Sequence, residues 1–328
     1  MPWGLRGLGA ATSALSAMIG SNRLPHALLF TGPKGGGKNT LARALAAAVN
    51  CASPDSDGSP CGHCLSCQKI ARDIHPDLKT LAPEGAANII KIESVQALRA
   101  EMAFRPFEGR VKVFIVREAD RLTSDSGNAL LKTLEEPPPD SILILTSASE
   151  AEVMATILSR CLRLKLPPLD RQTILAALAD ERGLTGPSAN LLACLSAGAL
   201  GPALELNPDD LWNRWQELQG ILGAATGPER LAQAWAWVKK TAENKEDFRL
   251  ALNILRLWWR ETARLSAGGV EALEGPPPQE AQFLWAARLK PSALAEINRA
   301  SARLEDSLAR FVKPELAFEN YWLSVLAL

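Results

Sequence analysis

The sequence predicts an α/β domain with a parallel sheet in its N-terminal half, followed by domains made of helices alone. Three observations support this prediction. Short β-like apolar runs alternate with helical stretches over residues 1–168, the pattern of a parallel sheet. A glycine-rich loop joins the first of these runs to a helix. After Pro167-Pro168 nearly every segment has helical periodicity, and Asp170 stands where a helix N-cap is expected.

The predicted elements follow in chain order. Four short β-like runs are candidate strands: Ala27–Thr31, Leu78–Leu81, Val111–Val116 and Ile142–Thr146. A short helical segment then extends to about Leu206, with a turn marked by three residues: Gly198, Gly201 and Pro202. The last region is helical and is broken mainly at Gly268-Gly269 and at Pro276-Pro277-Pro278. We therefore predict three domains, residues 1–168, 169–207 and 208–328.

Composition narrows the class of protein. The chain has 328 residues, of which 47% are hydrophobic and 22% charged, which is ordinary for a soluble globular protein. The charges of its 36 basic and 36 acidic residues cancel. This argues against a strongly basic surface for nucleic-acid binding but allows a local basic patch. The mildly apolar stretch Gly9–Gly20 has no convincing cleavage site and leads directly into a nucleotide-binding pattern, so we do not interpret it as a signal peptide. No apolar run is long enough to span a bilayer, and we expect a cytoplasmic protein.

Tryptophan is concentrated in the last region, which holds eight of the nine in the chain. Six of them are the following: Trp212, Trp215, Trp235, Trp237, Trp258 and Trp259. They could form stacking platforms for nucleic-acid bases, or they could pack between helices and at contacts between subunits. We favour packing, because Lys and Arg do not cluster around them.

A phosphate-binding loop follows the first candidate strand. The spacing Gly32-x4-Gly37-Lys38 matches the Walker A motif in its strand–loop–helix context, in which backbone N–H groups surround a phosphate and the lysine reaches its outer oxygens. The candidate nucleotide-binding residues are Gly32, Gly35, Gly36, Gly37, Lys38, Asn39 and Thr40. Asn39 replaces the serine or threonine that binds Mg²⁺, and Thr40 lies about 100° further around the helix. The loop can hold phosphate, but its metal placement is compromised, and occupation by ATP or ADP stays open.

A second ATPase motif is also altered. The Walker B pattern requires an apolar strand, then an aspartate for Mg²⁺ and a glutamate that polarises the attacking water. After Val111–Val116 the aspartate position holds Arg117, and only Glu118 remains. We therefore expect little intrinsic ATPase activity, and we expect Glu118, the residual Walker B glutamate, to contribute little to hydrolysis.

Four of the six cysteines have the spacing of a metal site, Cys51-x9-Cys61-x2-Cys64-x2-Cys67. Four thiolates close a tetrahedral zinc site and leave no position open for catalysis. An iron–sulfur cluster is the alternative, and the distant fourth cysteine favours zinc. His63 stands between two ligands and could compete with them. Cys161 and Cys194 are expected to be small buried side chains.

Three further segments resemble the bacterial clamp-loader subunits, a branch of the AAA+ family: Arg23–Pro33, Asn128–Pro138 and Thr156–Cys161. The zinc knuckle after the first helix of the domain (residues 51–67) is also similar to that family. The resemblance implies an AAA+ P-loop core, a small helical lid domain and an all-α C-terminal collar that mediates oligomerisation. The chain departs from the family's motor subunits at Asn39, at Arg117 and at Gly201, and a motor subunit has its second sensor arginine at the position of Gly201. These departures resemble a stator subunit and not the gamma and tau motors.

The same resemblance implies a role and partners. In this family the arginine of the Ser159-Arg160-Cys161 motif enters the ATP site of a neighbouring subunit as an arginine finger. The partners implied are gamma/tau and delta subunits in a ring of five and, through the complex, the beta sliding clamp and primer–template DNA. Two alternatives from other classes remain, namely an active AAA+ motor and a zinc-knuckle module that binds nucleic acid.

Overall fold

The computed structural model describes residues 2–85, 87–223, 228–241, 245–309 and 312–326. Its sheet has five parallel strands: β1 (Ala27–Thr31), β2 (Leu78–Leu81), β3 (Lys112–Val116), β4 (Ser141–Ser147) and β5 (Leu162–Lys165). They lie in the order β2-β3-β4-β1-β5. In register, Leu29 of β1 pairs with Leu145 of β4 and with Arg163 of β5.

The helices of the described residues fall into two groups. Those of the N-terminal region are α1 (Gly9–Gly20), α2 (Lys38–Asn50), α3 (Leu65–Ala71), α4 (Ile92–Met102), α5 (Ser124–Glu135) and α6 (Ala155–Leu158). Those that follow the sheet are α7 (Arg171–Arg182), α8 (Gly186–Leu195), α9 (Leu200–Glu205), α10 (Pro208–Gly223), α11 (Pro228–Thr241), α12 (Lys245–Gly268), α13 (Glu280–Arg288), α14 (Pro291–Ala309) and α15 (Pro314–Leu326).

The centre of the sheet is buried on both faces, as parallel sheets are. Every residue of β1 and β4 is buried. Successive side chains of a strand point to opposite faces, so Leu28 and Phe30 join one apolar cluster with Leu41 and Leu45 of α2. Leu29 lies in a second cluster, with residues of α4 and α5. The predicted fold class, a parallel α/β core followed by helical regions, is confirmed.

Two local predictions need correction. The sequence analysis did not identify β5, whose Leu-Arg-Leu-Lys sequence is half charged because the strand lies at the sheet edge. The predicted turn is right only at Gly198 (φ 83°), because Gly201 and Pro202 lie in the first turn of α9. Proline is tolerated there, since the first N–H groups of a helix have no partner within it. The predicted cap is confirmed: the Asp170 carboxylate accepts the Thr173 N–H at 2.8 Å.

The chain forms two compact units, Met1–Thr173 with Gly198–Gly201, and Ile174–Ala197 with Pro202–Leu328. The boundary between a lid and a collar inside the second unit stays a prediction. Five tryptophans of this second unit are buried: Trp215, Trp237, Trp258, Trp259 and Trp322. Trp237 and Trp322 meet edge to face, with ring centroids 6.2 Å apart. These five side chains pack in a helical core, as expected.

In the part of the chain that the structure describes, no helix combines the length and the apolar character that a bilayer span requires.

Candidate nucleotide and metal sites

The phosphate loop connects β1 to the N-terminus of α2, at the carboxyl-terminal ends of the parallel strands. Gly37 caps α2 in the left-handed region (φ 84°), which glycine adopts without strain. At Gly36 a Cβ atom would lie 2.9 Å from the Pro33 carbonyl oxygen, closer than real contacts allow. The first turn of α2 then presents Lys38, a half-buried Asn39 and an exposed Thr40.

Lys38 is turned onto its own loop. Its Nζ donates to the carbonyl oxygens of Gly32 and Pro33, each at 2.7 Å. Burial lowers the pKa of Lys38, while the carboxylates of Asp120 and Glu118 act in the opposite direction. Two of the three ammonium N–H donors are therefore engaged by the loop itself, and one remains for a phosphate.

Asn39 already has a partner for the oxygen that would replace a metal ligand. The Thr146 hydroxyl, near the end of β4, donates to Asn39 Oδ1 at 3.5 Å. Thr146 Oγ1 in turn accepts the Glu118 N–H at 3.3 Å. This chain of contacts joins the ends of β3 and β4 to the start of α2. The sequence analysis missed Thr146, which its position at the end of a strand beside the phosphate loop could have indicated.

The end of β3 carries a mixed set of charges. Arg117 is exposed, and Glu118 adopts a left-handed conformation (φ 51°) that is uncommon for a residue other than glycine. A short 3₁₀ turn over Ala119–Arg121 follows, and it places Asp120 so that the Ser147 hydroxyl donates to Asp120 Oδ1 at 2.9 Å. Asp120 affects Lys38 more strongly than Glu118 does. It was missed because the Walker B pattern considers only the two positions directly after the strand.

Gly201 lies against this same loop. Its backbone N–H donates to the Gly35 carbonyl oxygen at 3.0 Å. Gly201, predicted to replace the second sensor arginine of a motor subunit, therefore contacts the phosphate loop through its backbone.

Arg160 follows α6, and it contacts both the end of α5 and nearby residues of its own segment. Its Nε and Nη2 atoms donate to Oε1 of Glu135, at 2.9 and 2.5 Å. Its Nη1 donates to the Thr156 carbonyl oxygen at 3.0 Å and to Ser159 Oγ at 3.1 Å. About a third of the side chain, 34%, is exposed to solvent.

The four cysteines predicted as metal ligands converge. Their sulfur atoms all lie within 4.8 Å of one another, and the cysteines are free thiols: Cys51, Cys61, Cys64 and Cys67. A zinc ion bound tetrahedrally by sulfur at about 2.3 Å requires sulfurs about 3.8 Å apart, so the arrangement is close to that of a zinc site. His63 is exposed, and its Nδ1 contacts the Cys61 carbonyl oxygen at 2.8 Å, so it lies outside this four-cysteine cluster.

Backbone N–H groups point at these sulfurs, as they do where thiolates are stabilised. The Cys64 N–H donates to Cys61 Sγ at 3.4 Å, and the Cys61 N–H donates to Cys51 Sγ at 3.3 Å. Burial raises the pKa of Cys51 and of Cys67. Burial also acts to raise the pKa of Cys64. Hydrogen bonds from N–H groups, including that of Cys67, outweigh burial and lower the pKa of Cys64 to about 6. The donor set and its N–H···S bonds fit a metal that takes four thiolates.

The cysteine segment is tied to the loop before β3 by polar contacts that sequence analysis did not anticipate. Lys69 of α3 pairs with Glu108 at 2.6 Å, and Arg110 donates to the Cys51 carbonyl oxygen. The buried Asp77 accepts three backbone N–H groups of this loop, from Phe107, Glu108 and Gly109, at 2.6, 2.8 and 2.7 Å. These contacts hold the loop to the cysteine segment.

A parallel sheet whose first strand enters a glycine-rich loop at a helix N-terminus, with acidic residues after β3, which β4 separates from β1, defines a P-loop protein of the AAA+ class. Comparison with known proteins narrows the class further. A family described as "DNA polymerase III, delta subunit" matches residues 8–170.

Among curated proteins, DNA polymerase III subunit tau of Escherichia coli K12 is 33% identical over 241 residues, which is 70% of this chain and 37% of tau. DNA polymerase III subunit delta' is 35% identical in Bacillus subtilis 168, over 58% of this chain and 56% of the relative. In E. coli K12, delta' is also 35% identical, over 62% of this chain and 61% of the relative. The chain thus spans between 37% and 61% of the length of these three relatives.

Among solved structures, a gamma-subunit-related protein of DNA polymerase III from Thermotoga maritima is 18% identical, with a TM-score of 0.40. That alignment covers 92% of this chain and 99% of the other. From the family match and the identities to its curated relatives, the chain belongs to the DNA polymerase III clamp-loader subunits. Its relatives include both delta' and tau/gamma at similar identity.

Proposed function

We propose that this chain is the stator subunit, of the delta-prime type, in a clamp-loader complex that places the beta sliding clamp on primed DNA. In this proposal it assembles with gamma/tau and delta subunits in the cytoplasm and hydrolyses little ATP itself. Its contribution to hydrolysis is Arg160, which enters the ATP site of a neighbouring subunit.

The observation that carries the proposal is the contact between Thr146 and Asn39. The residue at the Mg²⁺-ligand position has an amide instead of a hydroxyl, and its oxygen already has a partner at 3.5 Å. The carboxylate expected after β3 is replaced by Arg117, so both metal-side positions are altered. A site that cannot hold Mg²⁺ between the β- and γ-phosphates cannot neutralise the charge that develops on the transferred phosphate.

Arg160 supports the other half of the proposal. A guanidinium has a fixed planar array of donors that suits phosphate oxygens, and an arginine supplied from outside stabilises the transition-state charge of phosphoryl transfer. Arg160 is partly exposed, and its contacts involve none of the residues of its own phosphate loop. These contacts support a role for Arg160 at a site other than its own phosphate loop.

We also propose that the four cysteines hold a structural zinc ion. Four thiolates fill a tetrahedral shell and leave no position for a substrate, and a four-iron cluster would require a wider separation of the sulfurs than 4.8 Å. The metal would then stabilise the segment that contacts the loop before β3.

Reconstitution tests the proposal. Gamma/tau and delta subunits would be combined with the beta clamp and primed DNA, with and without this chain, and clamp loading and ATP hydrolysis would be measured. We expect loading only when the chain is present, and no magnesium-dependent hydrolysis by the chain alone. Efficient turnover by the isolated chain would instead identify an active motor. Salt-dependent DNA binding by the isolated chain would support a nucleic-acid-binding module.

A further inference from the structure

The pair formed by Glu135 and Arg160 has a directional geometry. Glu135 is the last residue of α5, and Arg160 lies in the turn between α6 and β5. One carboxylate oxygen, Oε1, accepts both Nε and Nη2 of the arginine, at 2.9 and 2.5 Å. The two residues are 25 positions apart in sequence, so the contact depends on the tertiary fold.

A guanidinium has two edges that can each donate a pair of hydrogen bonds. The side edge consists of Nε and one N–H of Nη2, and the end edge consists of Nη1 and the other N–H of Nη2. Glu135 occupies the side edge. At the end edge Nη1 has only neutral acceptors, the Thr156 carbonyl oxygen and Ser159 Oγ, at 3.0 and 3.1 Å. A phosphate oxygen is a stronger acceptor than either, because charged acceptors form the stronger hydrogen bonds.

We propose that Glu135 is a positioning residue for Arg160: it fixes the guanidinium by its side edge and leaves the end edge for a phosphate of the neighbouring subunit. This inference rests on the proposed role of Arg160 as a finger in trans. A long arginine side chain loses rotamer freedom when it docks, and a partner that orders it beforehand removes part of that cost from the transition state.

A purely structural role explains the Glu135–Arg160 pair less well than a positioning role does. The Glu135 side chain is 51% exposed and that of Arg160 is 34% exposed, and ion pairs at such exposure contribute little to stability. The carboxylate lies on the side edge, which shares only Nη2 with the end edge, so it need not compete with a phosphate for Nη1. Glu135 would act only through Arg160 and would not touch the nucleotide.

The test uses the assembled complex, with beta clamp and primed DNA, and measures kcat and KM for ATP hydrolysis. Glu135→Ala should lower kcat roughly threefold to tenfold, with KM changed by less than about twofold, since orientation matters in the transition state. Glu135→Gln keeps one acceptor oxygen and should recover part of the loss. Glu136→Ala, at the adjacent exposed position, is the matched control and should leave both constants unchanged.

A double-variant cycle separates this inference from the proposed function. If Glu135 acts through Arg160, Glu135→Ala should have no further effect in an Arg160→Ala complex. If Arg160→Ala lowers kcat but Glu135→Ala leaves it unchanged or raises it, the positioning role is wrong and the finger remains. An equal loss in both backgrounds would also overturn the positioning role, because it would not act through Arg160. If Arg160→Ala has no effect, the proposed function itself fails.

Discussion

The backbone N–H of Gly201 donates to the carbonyl oxygen of Gly35 at 3.0 Å, which joins the first turn of α9 to the phosphate loop. A Cβ atom on Gly201 would lie 3.2 Å from that oxygen and 3.3 Å from the Gly35 Cα. Both distances are shorter than most real Cβ contacts, and both atoms belong to the backbone, which yields less than a flexible side chain does. The missing side chain at Gly201 therefore permits this close approach.

Substitution of Gly201 tests the consequence of that approach. Alanine normally stabilises a helix relative to glycine by about 1 kcal/mol. At Gly201 we expect Ala to lose this gain and to lower the free energy of unfolding by about 1–2 kcal/mol, because the phosphate loop must shift to accommodate it. Gly20→Ala, at a helical position of the same unit where a Cβ would meet nothing within 4 Å, is the matched control. Urea unfolding would compare the two, and equal stability would show that the contact is not tight.

Restoring the metal side of the site should require two changes. Asn39→Thr supplies the hydroxyl, and Arg117→Asp replaces a cation with the carboxylate that supports Mg²⁺. We expect neither single variant to gain magnesium-dependent ATP binding, and the double variant to gain at least about tenfold in affinity when Mg²⁺ is added, or about 1.4 kcal/mol. Titration calorimetry with and without Mg²⁺ measures this. A full recovery by Arg117→Asp alone would show that Asn39 is an adequate ligand.

The zinc proposal predicts a stoichiometry. Each cysteine contributes one of four ligands, and a site reduced to three thiolates binds zinc more weakly. Cys64→Ser should therefore lower bound zinc from one equivalent to well below one after dialysis, and should lower the melting temperature. Cys194 lies outside the cluster, so Cys194→Ser should retain a full equivalent of zinc. Elemental analysis measures the zinc content of both variants. Equal zinc contents would exclude this site.

Asp77 makes the stability dependent on pH in the acid range. Burial acts to raise its pKa, but the three N–H groups it accepts outweigh burial and hold the pKa below its ordinary value of 3.8. A depressed folded pKa gives stability that is complete above the unfolded pKa and is lost as pH falls through the folded value. An amide in its place cannot supply the same charged acceptors, so Asp77→Asn should cost about 2 kcal/mol at pH 7.

The difference between the wild-type protein and Asp77→Asn should then begin to narrow below pH 3.8, where the carboxylate of the unfolded chain takes up protons, and should close as the pH falls through the lower pKa of the folded protein. Urea unfolding at pH 7 and at pH 3 measures both differences. Asp73→Asn is the control, because Asp73 pairs with Arg43 at an exposed position, and we expect a change within about 0.5 kcal/mol. A difference for Asp77→Asn that stays constant over this range would contradict the account.

Sequence alone predicted β1, β3 and β4 because most of their residues are apolar, as in strands buried on both faces, and it also predicted β2, whose two middle residues are polar and exposed. It missed β5, where Arg163 and Lys165 occupy the exposed positions of an edge strand. The convergence of Cys51 with Cys61–Cys67 was also predictable, since metal-ligand spacings are local and few residue types serve as ligands.

Other parts of the site could not be read from local patterns. Thr146 is 107 residues from its partner Asn39, and only the parallel pairing of β1 with β4 brings them together. Asp77 binds backbone N–H groups about 30 residues away, and a backbone group has no residue-type signature. The contact of Glu135 with Arg160 likewise depends on where α5 ends relative to β5.

We expect the chain to assist ATP hydrolysis in a neighbouring subunit without depending on its own phosphate loop. The most direct measurement is the steady-state ATPase rate of the assembled complex on primed DNA with beta clamp, in which this chain alone carries either Lys38→Ala or Arg160→Ala. The account predicts that Lys38→Ala leaves the rate within about twofold of wild type, and that Arg160→Ala lowers it by at least about tenfold while the complex stays assembled. A large loss with Lys38→Ala and none with Arg160→Ala would contradict the account and identify the chain as a motor.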